Sequence, residues 1–231
     1  MKEKYLQMQQ AQYDRDASNW SLNSRDWVVG SYNQHNSFSD YDEFLFKGIQ
    51  TNNMIALEYG CGPARNMIKF HDRFTQIDGV DISEVNKQKA AINLEAHEIP
   101  FPNYYITSGD SIPTGDSKYD LVFSVICLQH ICVHEIRYSI MKEIHRVLKY
   151  GGYFCAQMGY GGRVNNDAVA EYYENNYNAT ATNGYHDVSI TNEQNLIDDL
   201  TQIGFKNYSS DIRPVGPGDH HRNWLWFRVQ K

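Results

Sequence analysis

Glu58, Gly60 and Gly62 occupy alternate positions of ALEYGCGPARN (Ala56 to Asn66), where an apolar run gives way to a turn of small residues. A strand ending in such a turn, followed by a helix N-terminus, brings backbone amides close to a ligand with no Cβ in the way. That chemistry suits a cofactor seat, and spacing decides which cofactor. A dinucleotide fingerprint needs Gly-x-Gly-x-x-Gly, whereas this turn runs Gly60-Cys61-Gly62-Pro63-Ala64-Arg65, with Arg65 at the third glycine position. Asp81 in GVDIS and Asp110 in SGDSIP, taken singly, each suit a helix cap or turn. His130 in LQHI has a side chain that titrates near neutrality. On its own it reads as a helix-start residue that shapes a pocket.

Other chemistry-bearing residues carry less. His130 and His134 form an i, i+4 pair with metal-ligand spacing, but no third ligand is evident nearby, so no metal site is expected. His220 and His221, in the turn before the final strand, read as surface loop residues, with a place near the substrate mouth as the alternative. Tyr172, Tyr173, Tyr177 and Tyr185 either stack on a flat acceptor or pack their own segment onto the domain. Cys61, Cys127, Cys132 and Cys155 sit in or beside apolar runs without a CxxC pair, which fits buried thiols.

The elements that must position these residues follow from hydrophobic spacing. Met54–Tyr59 and Gln76–Val80 read as strands, with helices at Ala64–Phe70 and Glu84–His97, the second capped by Ser83. NYYIT and the nearly continuous apolar run YDLVFSVI read as the third and fourth strands. Ile136, Ile140, Ile144, Val147 and Leu148 predict a helix from His134 to Leu148 that stops at Gly151-Gly152. GYFCAQM is a fifth strand, Thr191 to Gln194 a capping box for a helix ending near Gly204, and FKNYSSDI and NWLWFRV the last strands. Their connection is too short for a helical crossover, which makes this last pair antiparallel. Residues 1–50 and 159–190 fall outside the alternation. Both are polar and aromatic, and the second leaves the carboxyl end of a strand, where insertions often cover a ligand crevice.

At 231 residues, 41% hydrophobic and 21% charged, the chain fits one soluble α/β domain with a modest cap. Its N-terminus carries charges where a signal peptide needs an apolar region, and no later run is long enough to span a bilayer, so the expected location is the cytoplasm, away from membranes. A formal net charge of −7 argues against general affinity for nucleic acid. The cluster Lys142, His145, Arg146 and Lys149 is expected to be a solvated helix face. No oligomeric state is readable.

In order along the chain, LEYGCGPARN, GVDIS, SGDSIP, YDLVFSVICLQHI and EIHRVLKYGGYF resemble the motif set of the class I S-adenosylmethionine-dependent methyltransferases, over Ala56 to about Met158. The small-molecule branch known as type 11 is the most similar, with Tyr150 where that branch commonly has Pro. The resemblance implies a Rossmann-like α/β fold: a mostly parallel seven-stranded sheet with an antiparallel last strand and helices on both faces. Residues 51–231 would form the methyltransferase domain, with 1–50 and the insertion 159–190 as lid segments. It implies S-adenosylmethionine as cofactor, with Gly60, Cys61 and Gly62 against its methionine portion and Glu58 on its ammonium. Asp81 would take the ribose hydroxyls. Asp110, Ser111 and Ile82 would surround the adenine, while Ser124 and Val125 would line the methionine and His130 would be the candidate base. The implied reaction is methyl transfer to an oxygen or nitrogen of a small molecule. Two rival readings are a non-catalytic cofactor-binding scaffold of the same fold and a nicotinamide-dependent oxidoreductase.

Overall fold

The computed structural model describes residues 2–19, 41–163, 173–174, 177–178, 187–215 and 221–231. Seven strands form one sheet: β1 (Ile55–Tyr59), β2 (Gln76–Asp81), β3 (Tyr104–Ile106), β4 (Tyr119–Ser124), β5 (Leu148–Arg163), β8 (Lys206–Pro214) and β9 (His221–Gln230). Their order is β3-β2-β1-β4-β5-β9-β8. Strand β9 runs antiparallel to both β5 and β8, and the other pairings are parallel. Two short strands, β6 (Tyr173–Glu174) and β7 (Asp187–Val188), pair with each other.

Alternation along the strands divides the interior into two cores. On β4, Val122 faces one core and Leu121 and Phe123 the other; on β9, Leu225 and Phe227 oppose Trp224 and Trp226. The first core packs under α4 (His134–Val147) and α5 (Glu193–Ile203), through Ile136, Ile140, Leu196 and Leu200. The second packs under α2 (Arg65–Lys69) and α3 (Glu84–Ala96), and it includes a π-helical turn, Tyr41–Leu45, followed by Phe46. Phe46 meets Phe70, Phe74 and Phe123 edge-on at 5.2, 5.3 and 5.4 Å between centroids, a geometry worth about 1 kcal/mol per pair beyond burial.

Strand order reverses between β1 and β4, which leaves a crevice beyond their carboxyl ends. Over it lies α1 (Lys2–Asn19), a helix that the hydrophobic pattern of the N-terminal segment does not announce. Its inward face is mostly polar and aromatic, with Leu6 as its aliphatic member: Tyr5 and Gln9 are buried, and Leu6, Gln12, Tyr13 and Asp16 line the crevice. Such a face shows no aliphatic stripe. Among the side chains that fasten it, Lys2 pairs with Asp110 at 2.7 Å, Asp14 accepts from Ser83 Oγ at 2.5 Å, Tyr5 Oη accepts from the Cys132 amide at 2.9 Å, and Gln9 Nε2 donates to the His130 carbonyl at 3.3 Å.

Three local expectations need correction. The fourth helix ends at Val147, before the glycine pair, because buried Leu148 turns to extended backbone and opens β5 beside Tyr119. Register then shifts, and left-handed Gly151 (φ 78°) lies within the strand instead of capping a helix. At α5 the cap is Asn192, whose side chain accepts from the Gln194 amide at 3.1 Å, and Thr191 stands outside. The fifth strand is also longer than GYFCAQM, since pairing with β9 carries it to Arg163.

Candidate active site

A cavity of about 370 Å³ opens at the carboxyl ends of β1, β2 and β4, beneath α1. Of the residues singled out in the sequence, Glu58, Gly60, Cys61, Gly62, Asp81, Ile82, Val125 and His130 line it. Asp110, Ser111 and Ser124 do not.

Between β1 and α2 the glycine turn is tied down by β2. The Gly60 and Cys61 amides donate to the Val80 carbonyl at 2.8 and 3.2 Å, and the Gly62 amide donates to Asp81 Oδ2 at 2.9 Å. Gly60 (φ 75°) has left-handed backbone, and a Cβ there would lie 2.2 Å from Cys127 Sγ. Gly62 (φ 51°) faces open space, so its lack of a side chain keeps the cavity clear. Asp81 Oδ1 accepts from the Ser83 amide at 2.9 Å and from Asn86 Nδ2 at 3.0 Å. Burial raises the carboxyl's pKa despite these hydrogen bonds, and Oδ2 keeps a lone pair for a ligand hydroxyl.

Glu58, at 1% exposure, accepts from Asn66 Nδ2 through Oε1 at 2.6 Å. Burial pushes its carboxyl up to about 8, against the hydrogen bond from Asn66 and the charge of Arg65. Asn66, from α2, carries no signal in the sequence beyond closing its motif.

Ile126, just past β4, adopts left-handed backbone (φ 51°), which a β-branched residue rarely does. Its amide donates to Oε1 of fully buried Gln157 at 3.0 Å, which holds the loop in the cavity wall. The same loop presents His130, whose Nδ1 lies 2.5 Å from Asp187 Oδ1. Burial pulls the imidazole pKa down, but the charge and hydrogen bond of Asp187 outweigh it and hold it above the usual histidine value. Asp187 belongs to β7, within the 159–190 insertion, and it also lines the cavity. Sequence offers no signal for it, because the pair is 57 positions apart.

Asp110 is bound by Lys2 and by Ser108 Oγ. Buried Ser124 donates to the Tyr59 carbonyl at 2.9 Å, and the Ser111 carbonyl accepts from Thr107 Oγ1. Gly109 beside them does line the cavity, where a Cβ would sit 2.7 Å from Leu6 Cδ2 and 3.0 Å from Ile82 Cδ1. His134 turns away from His130, with its Nε2 2.7 Å from Asp199 Oδ2. Among the described residues no three His, Cys, Asp or Glu side chains converge as metal ligands.

His221 is buried, contrary to its expected place on a surface loop. It begins β9, its ring covers Gly159, and its Nε2 lies 3.9 Å from Asp187 Oδ2. Tyr177 is also buried. Its hydroxyl donates to Asp199 Oδ2 at 2.9 Å, and the Arg137 guanidinium lies 4.8 Å from its ring centre, so it fastens the insertion to α5 and α4. Trp20, Trp27, Tyr32, Phe38, Tyr172, Tyr185 and His220 lie outside the described residues. Cys61, Cys127, Cys132 and Cys155 are free thiols. No helix among the described residues is long and apolar enough to cross a membrane.

Residues 57–156 match the family described as "Methyltransferase domain". An uncharacterised methyltransferase of Synechocystis sp. is 27% identical over 99 residues, 43% of this chain and 44% of the relative. The malonyl-[acyl-carrier protein] O-methyltransferase of Salmonella typhimurium is 25% identical over 127 residues, 54% of this chain and 47% of the relative. The matches thus span less than half the length of either relative. Among solved structures, the Haemonchus contortus phosphoethanolamine N-methyltransferase 2, in complex with S-adenosylhomocysteine or S-adenosylmethionine, superposes with a TM-score of 0.59 at 18% identity, over 80% of this chain and 50% of that one. Its likeness is one of fold. The seven-stranded order and the glycine turn seated on Asp81 thus accompany a match of residues 57–156, a little under half of the chain, to that methyltransferase family.

Proposed function

We propose that this chain moves the methyl group of S-adenosylmethionine to an oxygen or nitrogen of a small-molecule acceptor, releasing S-adenosylhomocysteine, with His130 as the proton acceptor. One observation carries this reading: His130 and Asp187, from different elements, meet in the wall of the cavity that Asp81 and Gly62 line. Asp187 on Nδ1 selects the tautomer that leaves Nε2 able to take a proton, and it stabilises the imidazolium that results. Such a pair suits a hydroxyl acceptor most, since an amine needs only to arrive unprotonated.

The remaining roles follow the chemistry of each side chain. Glu58 would hold the cofactor's ammonium and Asp81 a ribose hydroxyl. Ile82 would serve the adenine and Cys61 and Val125 would pack the methionine, while Asp110, Ser111 and Ser124, outside the cavity lining, would support these walls from behind. The cofactor supplies an electrophilic methyl group on a sulfonium. The protein aligns the acceptor with that methyl group, keeps water out beneath α1 and receives the acceptor's proton at His130. The formal charge of −7 favours a metabolite over nucleic acid, and four free thiols fit a reducing compartment such as the cytoplasm.

The test is a screen of hydroxylated and amine metabolites, read as S-adenosylhomocysteine release. Release with at least one of them is expected, and His130→Asn should lower it about 100-fold. Turnover only with an added protein or RNA, in protein that binds S-adenosylhomocysteine, would overturn the small-molecule reading.

A further inference from the structure

Two oxygen atoms on neighbouring residues of the cavity wall have no hydrogen-bond partner among the described residues: Glu58 Oε2 and Asn66 Oδ1. The other halves of these groups meet each other, Asn66 Nδ2 on Glu58 Oε1 at 2.6 Å. Both residues are buried, at 1% and 3% exposure. An ionised carboxylate with one oxygen buried and unbonded is costly, and a proton on that oxygen removes the charge. Two adjacent orphan acceptors also call for a ligand group with several N–H donors on one atom, which describes an ammonium.

We propose that Glu58 carries a proton in the ligand-free protein and that the cofactor's ammonium, docking against Glu58 and Asn66, drives that proton off. Cofactor binding is thereby coupled to proton release. This inference rests on reading the cavity as the S-adenosylmethionine site. In the step, the O–H bond of Glu58 breaks and its proton passes to water. The ammonium keeps its three protons and donates to the carboxylate and to Asn66 Oδ1.

The groups around Glu58 agree with a neutral resting state. From α2, Arg65 favours the ionised form, but its guanidinium also donates to Tyr41 Oη at 3.3 Å. From β2, Asp81 opposes ionisation. Cys61 in the turn, Cys127 after β4 and Tyr104 on β3 are each pushed upward by burial first and then by neighbouring acidic groups, so they stay neutral and bring no cation. Burial outweighs Arg65, and the carboxyl sits at about 8.

The experiment is calorimetry of S-adenosylhomocysteine binding to the full chain in buffers of different ionisation enthalpy, with 5′-methylthioadenosine as the second probe. The latter carries the adenine and ribose but no ammonium, so it meets Asp81 without meeting Glu58. For a group at about 8, S-adenosylhomocysteine should release roughly 0.9 proton at pH 7 and roughly 0.1 at pH 9 by simple titration. Its dissociation constant should weaken by up to about tenfold for each pH unit below 8. 5′-Methylthioadenosine should release almost none, and Glu58→Gln should bind S-adenosylhomocysteine without proton release. Equal release by both probes would move the proton to Asp81 and overturn the assignment, as would tight S-adenosylhomocysteine binding with none. No binding of either probe would instead overturn the cofactor site itself.

Discussion

His130 and Asp187 face each other in the cavity wall with Nδ1 and Oδ1 2.5 Å apart, one from the loop after β4 and the other from the insertion that follows β5. The carboxylate raises the imidazole pKa, so the proton-accepting form appears only as pH climbs above the usual histidine value. The acidic limb of kcat/KM should therefore lie above pH ~6.5. Asp187→Asn removes the raising influence and leaves burial, which moves the limb to lower pH while turnover falls about tenfold or more. A pH profile of the two proteins checks this, and an unmoved limb would separate Asp187 from the chemistry.

Asp81 accepts from the Gly62 and Ser83 amides and from Asn86, and it lines the cavity. Asp81→Ala should weaken S-adenosylhomocysteine by about 2–3 kcal/mol, roughly two orders of magnitude in dissociation constant. Calorimetry measures the affinity, and circular dichroism shows that the variant is folded. An unchanged constant in folded protein would remove Asp81 from the ribose site.

Gly60 is constrained twice, by its left-handed backbone and by Cys127 Sγ, which would stand only 2.2 Å from a Cβ at this position. Gly60→Ala should lower stability by about 2–4 kcal/mol, part from conformation and part from overpacking. Cys127→Gly in the same chain should restore only the packing part. Denaturant melts of the single and double variants measure the coupling, and strict additivity would show that the sulfur is not the obstacle.

The ligand-free protein should lose stability as pH rises toward 8 because of Glu58. Its folded pKa, about 8, lies above the unfolded value, so between the two the folded state holds a proton that the unfolded state has released. Glu58→Gln should flatten this slope and be more stable than the parent at pH 8, by on the order of 3 kcal/mol. Thermal melts between pH 5 and pH 9 would show the crossing, and parallel curves would refute it.

Helix α1 roofs the cavity through a few polar fasteners, Lys2 to Asp110, Asp14 to Ser83 and Tyr5 to the Cys132 amide, in place of an aliphatic seam. We expect residues 1–50 and 159–190 to act as a lid that ligand orders. Hydrogen exchange should show new protection with S-adenosylhomocysteine along α1 and from Trp20 to Tyr32, the latter outside the described residues. Equal protection with and without ligand would make these segments fixed parts of the fold.

Local chemistry on its own determined much of this protein. The alternation of apolar runs with helix-period stretches, Ser83 as a cap and the glycine turn after Glu58 all act over a few neighbouring residues, so they are legible in the chain. Tertiary structure decided the rest. Asp187 reaches His130 across 57 positions, Asn66 closes on Glu58 across a turn, and α1 seals the cavity with Tyr and Gln, which leave no hydrophobic period to read. His221 looks like a loop residue until β9 lays its ring on Gly159. Each depends on which buried surfaces meet, and burial is a property of the packed chain, as the carboxyl of Glu58 illustrates, pushed up to about 8 by burial.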